Sequence, residues 1–449
     1  MKESSVHRKR FPFNAAFALS ATVLLLPAAG SLPAQQGKMK KFLSKPLTIE
    51  DQGSFFVGGV PKVTPYAAAS APGANQTQLP LGQITIGQMY VQFQIPQGKM
   101  RNMPPVIMVH GSTHTGACLE STPDGREGWL PYFVRKGIST YIVDQSGRGR
   151  SGFDESVIHE AEALVTRGDV AGGAALLPSI ARISDNGAWT AWFGHLTPPG
   201  SNILDGRLIR HGDAGDPPTD DASHSDSYLP AFPLASVDAQ VVARTGGIGQ
   251  PPAGPNNYFA LEYYKQLVPN AESTLPGSTC PTCDPTTISP ANTWTPRNLA
   301  TLVERLDGAV VATHSQSGIM GHHMVRILKE RGHLNLVRGL ITLEGSCSFP
   351  NSGLKAEDFD NIPYLAVKGD YAATSDGCQT TVDAINARRA AGQGIAKADY
   401  IKLDELPNPV FRGTTHMMMI GANSNEVADV ILNWAGRNIP PKGKDRKRR

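Results

Sequence analysis

A serine becomes nucleophilic when a tight turn lifts its hydroxyl clear of the backbone and a base can reach it. Val310-Val311-Ala312-Thr313-His314-Ser315-Gln316-Ser317-Gly318 has the composition for such a turn: an apolar, β-prone run enters and a helix-like run, Ile319 to Glu330, leaves. That order is a nucleophile elbow, in which the serine sits on a strained strand-to-helix turn. The positions two before and two after Ser315 hold Thr313 and Ser317, where glycine is usual. The strict G-x-S-x-G pattern is therefore absent, and the reading rests on the order of elements. Ser317 is the rival nucleophile, but it falls inside the helix start. A plain small-residue turn between a buried strand and a helix is the alternative.

Acyl transfer further needs a base, an acid that orients the base, and donors for the oxyanion. His416 follows the last expected strand and is the only histidine after His333. The acid has two candidates, each at the carboxyl end of an expected strand: Asp370 in Val367-Lys368-Gly369-Asp370 and Glu344 in Leu343-Glu344-Gly345. The residues by themselves favour Asp370, one strand before the last. For the oxyanion, Val109-His110-Gly111-Ser112 follows the first buried strand. The N–H of Ser112 would join that of Gln316, the residue after the nucleophile.

These residues need a scaffold, and the hydrophobic pattern supplies one. Ile84–Ile95 alternates like an outer hairpin strand, whereas Val106–Val109, Thr140–Val143, Gly308–Ala312, Leu340–Leu343, Tyr364–Val367 and Tyr400–Leu403 are short apolar or mixed runs of buried-strand length. Helical patterns fall over Trp129–Lys136, Ala161–Ile183, Ile319–Arg331, Val382–Ala391 and Asn425–Arg437. Strand–helix alternation of this kind predicts an α/β fold, a mostly parallel, doubly wound sheet covered on both faces. The alternation lapses in a Pro/Gly/Asp/Ser-rich middle, expected to be a lid-like insertion. The expected organisation is a leader over 1–34, core over 35–154, insertion over 155–300, core over 301–440 and a basic tail over 441–449.

The leader reads as a secretory signal. Lys2, Arg8, Lys9 and Arg10 precede an uncharged run, Ala15–Leu26, that ends in Pro27 and small residues. That run is too short for a bilayer, which needs roughly 20 residues. The expectation is a chain exported to the periplasm or the medium, with no membrane span. The net charge of +3 is concentrated at the two ends, so the body is acidic and offers no basic face for nucleic acid. Five cysteines suit export. Cys347 and Cys378 lie near two strand ends and can pair; Cys280 and Cys283 can close a small loop; Cys118 is left over.

The chain resembles a small group of exported bacterial α/β-hydrolase esterases with a Ser–His–Glu triad. The likeness lies in Asp51–Gly59, Thr122–Trp129, Asp144–Ser151, His314–Ile319 and His416–Met419. It implies the α/β-hydrolase fold, a small-molecule ester as substrate, no cofactor and no metal. It moves the expected acid from Asp370 to Glu344 and supports the Cys347–Cys378 pairing. Two departures stand out. Ser112 and Thr113 replace the adjacent, disulfide-bonded cysteines of the group's best-known member, and the insertion is much longer.

Competing readings have weaker support. Gly147-Arg148-Gly149-Arg150-Ser151-Gly152 satisfies G-x-G-x-x-G, but no acidic residue ends a strand about 20 positions later, as a dinucleotide site wants. It is read as a tight turn. His110 with His114, and His322 with His323, lack partners at metal-ligand spacing. A lactone or carbon–carbon bond hydrolase would use the same triad, and a binding protein on a hydrolase scaffold would need none. Tyr263, Tyr264, Trp294 and Met417–Met419 are the expected pocket lining. Whether the chain acts as a monomer or a dimer is open from sequence.

Overall fold

A computed structural model describes residues 42–66, 81–98, 103–177, 182–184, 188, 192, 263–269, 294–369 and 377–441. The expected leader, the basic tail, Asp370, the Cys280/Cys283 pair and most of the insertion lie outside these residues.

Eight strands form one sheet in the order β1-β2-β4-β3-β5-β6-β7-β8. They are β1 (Ile49–Thr64), β2 (Gly82–Pro96), β3 (Val106–Val109), β4 (Thr140–Asp144), β5 (Ala309–His314), β6 (Val337–Leu343), β7 (Tyr364–Lys368) and β8 (Ala398–Lys402). β1 pairs antiparallel with β2, and β2 antiparallel with β4. Every pairing from β4 across to β8 is parallel. The eight-stranded, mostly parallel sheet flanked by helices is the α/β-hydrolase fold expected from sequence.

β2 proved not to be the outer strand. β1 lies outside it, and its own signal is weak because most of its side chains face water and Gly53, Gly58 and Gly59 interrupt it. The central strands have the opposite character, and all four residues of β3 are buried. Their alternation divides the core between the two faces. Val106 and Met108 pack with Trp129, Phe133, Met417–Met419 and Trp434. Ile107 and Val109 pack with Leu299, Val303, Met324 and Leu328.

The helices, in chain order, are α1 (Ala117–Glu120), α2 (Trp129–Arg135), α3 (Ser156–Thr166), α4 (Val170–Leu176), α5 (Trp294–Arg305), α6 (Ser317–Glu330), α7 (Cys378–Ala390) and α8 (Ser424–Asn438). The single helix expected over Ala161–Ile183 is two. Gly168 turns left-handed at φ 93° and Asp169 caps the new helix by accepting from Gly172 N–H at 2.8 Å. α5 straddles the expected end of the insertion at 300 and packs into the core. Its Trp294 ring covers Gly87 of β2, where a Cβ would come within 2.8 Å, so it does not line the pocket as expected. Only glycine lets β2 pass beneath that indole.

Candidate active site

The residues expected to carry chemistry lie at the carboxyl ends of adjacent parallel strands. Ser315 directly follows β5 and Glu344 directly follows β6. Four non-glycine residues among those described have positive φ, and three are at this edge: Thr113 at 55°, Ser315 at 54° and Glu344 at 46°. Holding an L-residue there costs on the order of 1–3 kcal/mol each, so the surrounding contacts must over-determine it. For Ser315 those contacts are visible. Its N–H donates to Leu343 O and its carbonyl accepts from Gly318 N–H, both at 2.9 Å. Gly345 abuts the same carbonyl, where a Cβ would stand 2.6 Å from it; Gly318 lies against Ser346.

The two serines of the elbow have different fates. Ser317 is buried, and its hydroxyl is engaged with Val109 O at 3.0 Å, His314 O at 2.9 Å and His314 N–H at 2.8 Å. It ties β3 to β5 and cannot attack a substrate. Ser315 and Gln316 are the half-exposed residues of this turn. α6 begins immediately behind them, so its unpaired N–H groups and positive end face the same spot.

His416 lies on the loop between β8 and α8, and its Nδ1 is 2.6 Å from Glu344 Oε2. Nδ1 therefore donates to the carboxylate, leaving Nε2 as the basic nitrogen. Glu344 Oε1 accepts in turn from Gly369 N–H. Gly369 is needed there, since a Cβ would lie 2.6 Å from that oxygen and 2.7 Å from Thr414 O. The histidine loop is held on three further sides. His416 N–H donates to Trp192 O at 3.0 Å, and His314 Nε2–H donates to His416 O at 2.8 Å. Arg126 reaches Ile420 O and Gly421 O at 3.1 and 3.0 Å, which accounts for the Thr122–Trp129 stretch.

The turn after β3 comes directly against the serine. A Cβ on Gly111 would meet Ser315 Cβ and His314 Nδ1, each at 2.9 Å. This brings the Gly111–Ser112 peptide beside Ser315, where an oxyanion would form. Thr113 O accepts from Val268 N–H at 2.9 Å, and His114 lies between Ser112 O, at 2.7 Å from Nδ1, and Tyr263 Oη, at 3.0 Å from Nε2.

A solved bacterial esterase is 31% identical to this protein, covering 89% of this chain and 99% of that one, with a TM-score of 0.60. The chain belongs to this esterase family of the α/β-hydrolase fold. A curated relative, a probable secreted lipase of a fungal species, is 23% identical over 389 residues, 77% of this chain and 85% of that protein. No family model matches. The protein is thus a carboxylic-ester hydrolase.

Around the esterase site, burial favours the neutral form of several histidines. Nδ1–H of His110 donates to Gly111 O at 2.9 Å while Nε2 accepts from Gln145 N–H at 3.1 Å. Burial, followed by the Arg148 charge, lowers its pKa. Burial likewise lowers His114 to about 3, and pushes His314 well below the ordinary value with the help of His416. His114 and His314 therefore tune geometry and are not proton carriers.

Sequence reasoning missed Trp192. Its ring stacks on His416 at 6.1 Å and lies tilted against His114 at 5.1 Å. It lies in a weakly patterned region, and no periodicity could have marked it. Of the expected pocket residues, all but Trp294 are buried in the core; Tyr263 reaches the site through His114, and Met419 lines a small cavity beside His314. Cys347 and Cys378 form a disulfide, tying the turn after Glu344 to the start of α7. Cys118 is free and buried, and burial raises its thiol pKa. Among the described residues no group of His, Cys, Asp and Glu is arranged to hold a metal ion.

Proposed function

We propose that this esterase cleaves small-molecule carboxylic esters through an acyl-enzyme on Ser315, with His416 as general base and Glu344 as the acid that orients it. His416 Nε2 removes the proton as Ser315 Oγ attacks the ester carbonyl. Glu344 holds the imidazole in the Nδ1–H form and stabilises the imidazolium that develops. The N–H groups of Ser112 and Gln316 receive the oxyanion. The alcohol leaves with the proton from His416, and water then repeats the sequence on the acyl-enzyme.

The observation that carries this reading is the 2.6 Å His416–Glu344 contact, joined by two turns to a strained serine beside a glycine turn. It supports Glu344 over Asp370 as the acid. The mechanism needs no metal or organic cofactor. A fluorophosphonate should label Ser315, as peptide mapping would reveal, and Ser315→Ala should abolish turnover of p-nitrophenyl esters while leaving the fold intact. An adduct elsewhere, or near-normal turnover by the alanine variant, would remove Ser315 from the mechanism.

We also infer that the chain is exported, on the basis of its basic, then apolar leader and the secreted lipase among its relatives. No described helix is long and apolar enough to cross a membrane. Residues 155–300 are proposed to act as an insertion that walls the site, since Trp192 and Tyr263, both from that region, contact His416 and His114.

A further inference from the structure

The G-x-G-x-x-G turn after β4 is unexplained by ester hydrolysis as such, yet it carries a buried guanidinium to the centre of the site. Arg148 is 2% exposed, although arginine is almost never fully buried without a specific engagement. Its Nη1 donates to Gly111 O at 2.8 Å and its Nη2 to Gln316 Oε1 at 3.1 Å. One planar fork therefore spans the residues at both halves of the proposed oxyanion hole, which are far apart in sequence.

We propose that Arg148 is a positioning residue that holds the oxyanion-hole peptides in their productive orientation. This rests on the assignment of Ser112 and Gln316 N–H as the donors. Gly111 C=O and Ser112 N–H belong to one planar trans peptide and point in opposite directions. Fixing the carbonyl on Arg148 fixes the N–H on the other side. Glycine at 111 makes that peptide easy to rotate, so it needs a lock. His110 Nδ1–H supplies one hydrogen bond to the same carbonyl, at 2.9 Å, and Arg148 supplies the charged one. The second arm of the fork holds the Gln316 side chain, and with it the first turn of α6 behind Ser315.

The turn that carries Arg148 is built to be rigid. Gly149 has φ 53°, and a Cβ there would meet Thr115 Cγ2 at 2.5 Å and Asp144 Oδ2 at 2.7 Å. Asp144 is fully buried and accepts from Gly116 N–H at 2.7 Å and from Arg150 N–H at 2.8 Å. It thereby joins the turn after β4 to the loop after β3. Gly149 thus serves close backbone approach to this carboxylate.

The test uses the full-length enzyme, p-nitrophenyl esters and a trifluoromethyl ketone, which forms a reversible tetrahedral adduct with an active serine. Losing one oxyanion donor typically costs about 100- to 1000-fold in kcat. With the His110 bond still in place, Arg148→Met should lower kcat by about 10- to 100-fold, a fraction of that loss, with KM nearly unchanged. The ketone inhibition constant should rise in parallel with the loss in kcat/KM. Arg148→Lys, a point charge that cannot span two acceptors, should recover only part of the activity. Gln316→Met keeps its backbone N–H and removes only the Oε1 arm; it should show a smaller fall in kcat at constant KM. That variant decides the matter if Arg148→Met does not fold. Turnover within about twofold of wild type in the folded variants, or a loss confined to melting temperature or KM, would overturn the inference. Ser315→Ala separates the two readings. If it is inactive while the Arg148 and Gln316 variants are normal, only the positioning role falls; if it remains active, the site assignment itself falls.

Discussion

Acidification should destabilise this protein well before its carboxylates begin to protonate. Burial holds His110, His114, His314 and His322 below the ordinary histidine pKa of 6.5, with His114 at about 3 and His322 at about 4. The hydrogen bonds agree, as for His322, whose Nδ1–H donates to Gly318 O at 2.8 Å while Nε2 accepts from Tyr364 Oη at 3.2 Å. Below pH 6.5 the unfolded chain binds protons at these positions and the folded chain does not. Stability is therefore present above 6.5 and is lost as pH falls towards the folded values. A histidine with a free pKa of 6.5 that stays neutral when folded costs about 2 kcal/mol at pH 5. Four would approach about 8 kcal/mol, comparable with the about 5–15 kcal/mol that holds a typical domain together. Urea unfolding at pH 7, 6 and 5 measures this directly, and His322→Gln should reduce the slope between pH 6 and 5 by close to one proton, about 1.4 kcal/mol per pH unit. A free energy of unfolding that stays flat within about 1 kcal/mol from pH 7 to 5 would refute the reasoning.

Other perturbations have equally definite outcomes. Glu344→Gln should lower kcat by about 10³- to 10⁴-fold by losing the acceptor that fixes the His416 tautomer, whereas Asp370→Asn should not; steady-state kinetics of the pair decides which carboxylate is the acid. Gly345→Ala would put a methyl 2.6 Å from Ser315 O. It should displace the elbow, and fluorophosphonate labelling should slow more than thermal stability falls. Replacing both Cys347 and Cys378 by serine should cost about 3–4 kcal/mol from the freed loop, read as a lower urea midpoint.

Much of this site was legible because its chemistry is local. The elbow needs a strand, small residues and a helix in immediate succession, and 310–330 has them in order. The proposed base could be singled out by elimination, as one histidine follows His333. The proposed acid could not, because strand ends at Glu344 and at Asp370 look alike in sequence, and only the resemblance favoured Glu344. The structure puts Glu344 against His416, and Asp370 lies outside the described residues. What stayed hidden is what acts across distance. Arg148 read as part of a tight turn because its partners at Gly111 and Gln316 are 37 and 168 positions away. β1 escaped notice because an exposed edge strand has little apolar pattern to show.

The hydroxyl of Ser317 reaches back to Val109 O across 208 positions of sequence, and His416 is later still. The turn after β3, the proposed oxyanion turn, thus leaves the ribosome long before the elbow it packs against, with residues 155–300 made in between. Such long-range closures are slow to form, because the entropy of the loop must be met before any contact rewards it. On the proposed triad, a nascent chain would carry no hydrolytic activity until the loop after β8, with His416, has emerged and docked. An enzyme that attacks esters is in this way silent during its own synthesis, and the order of its strands serves as the delay.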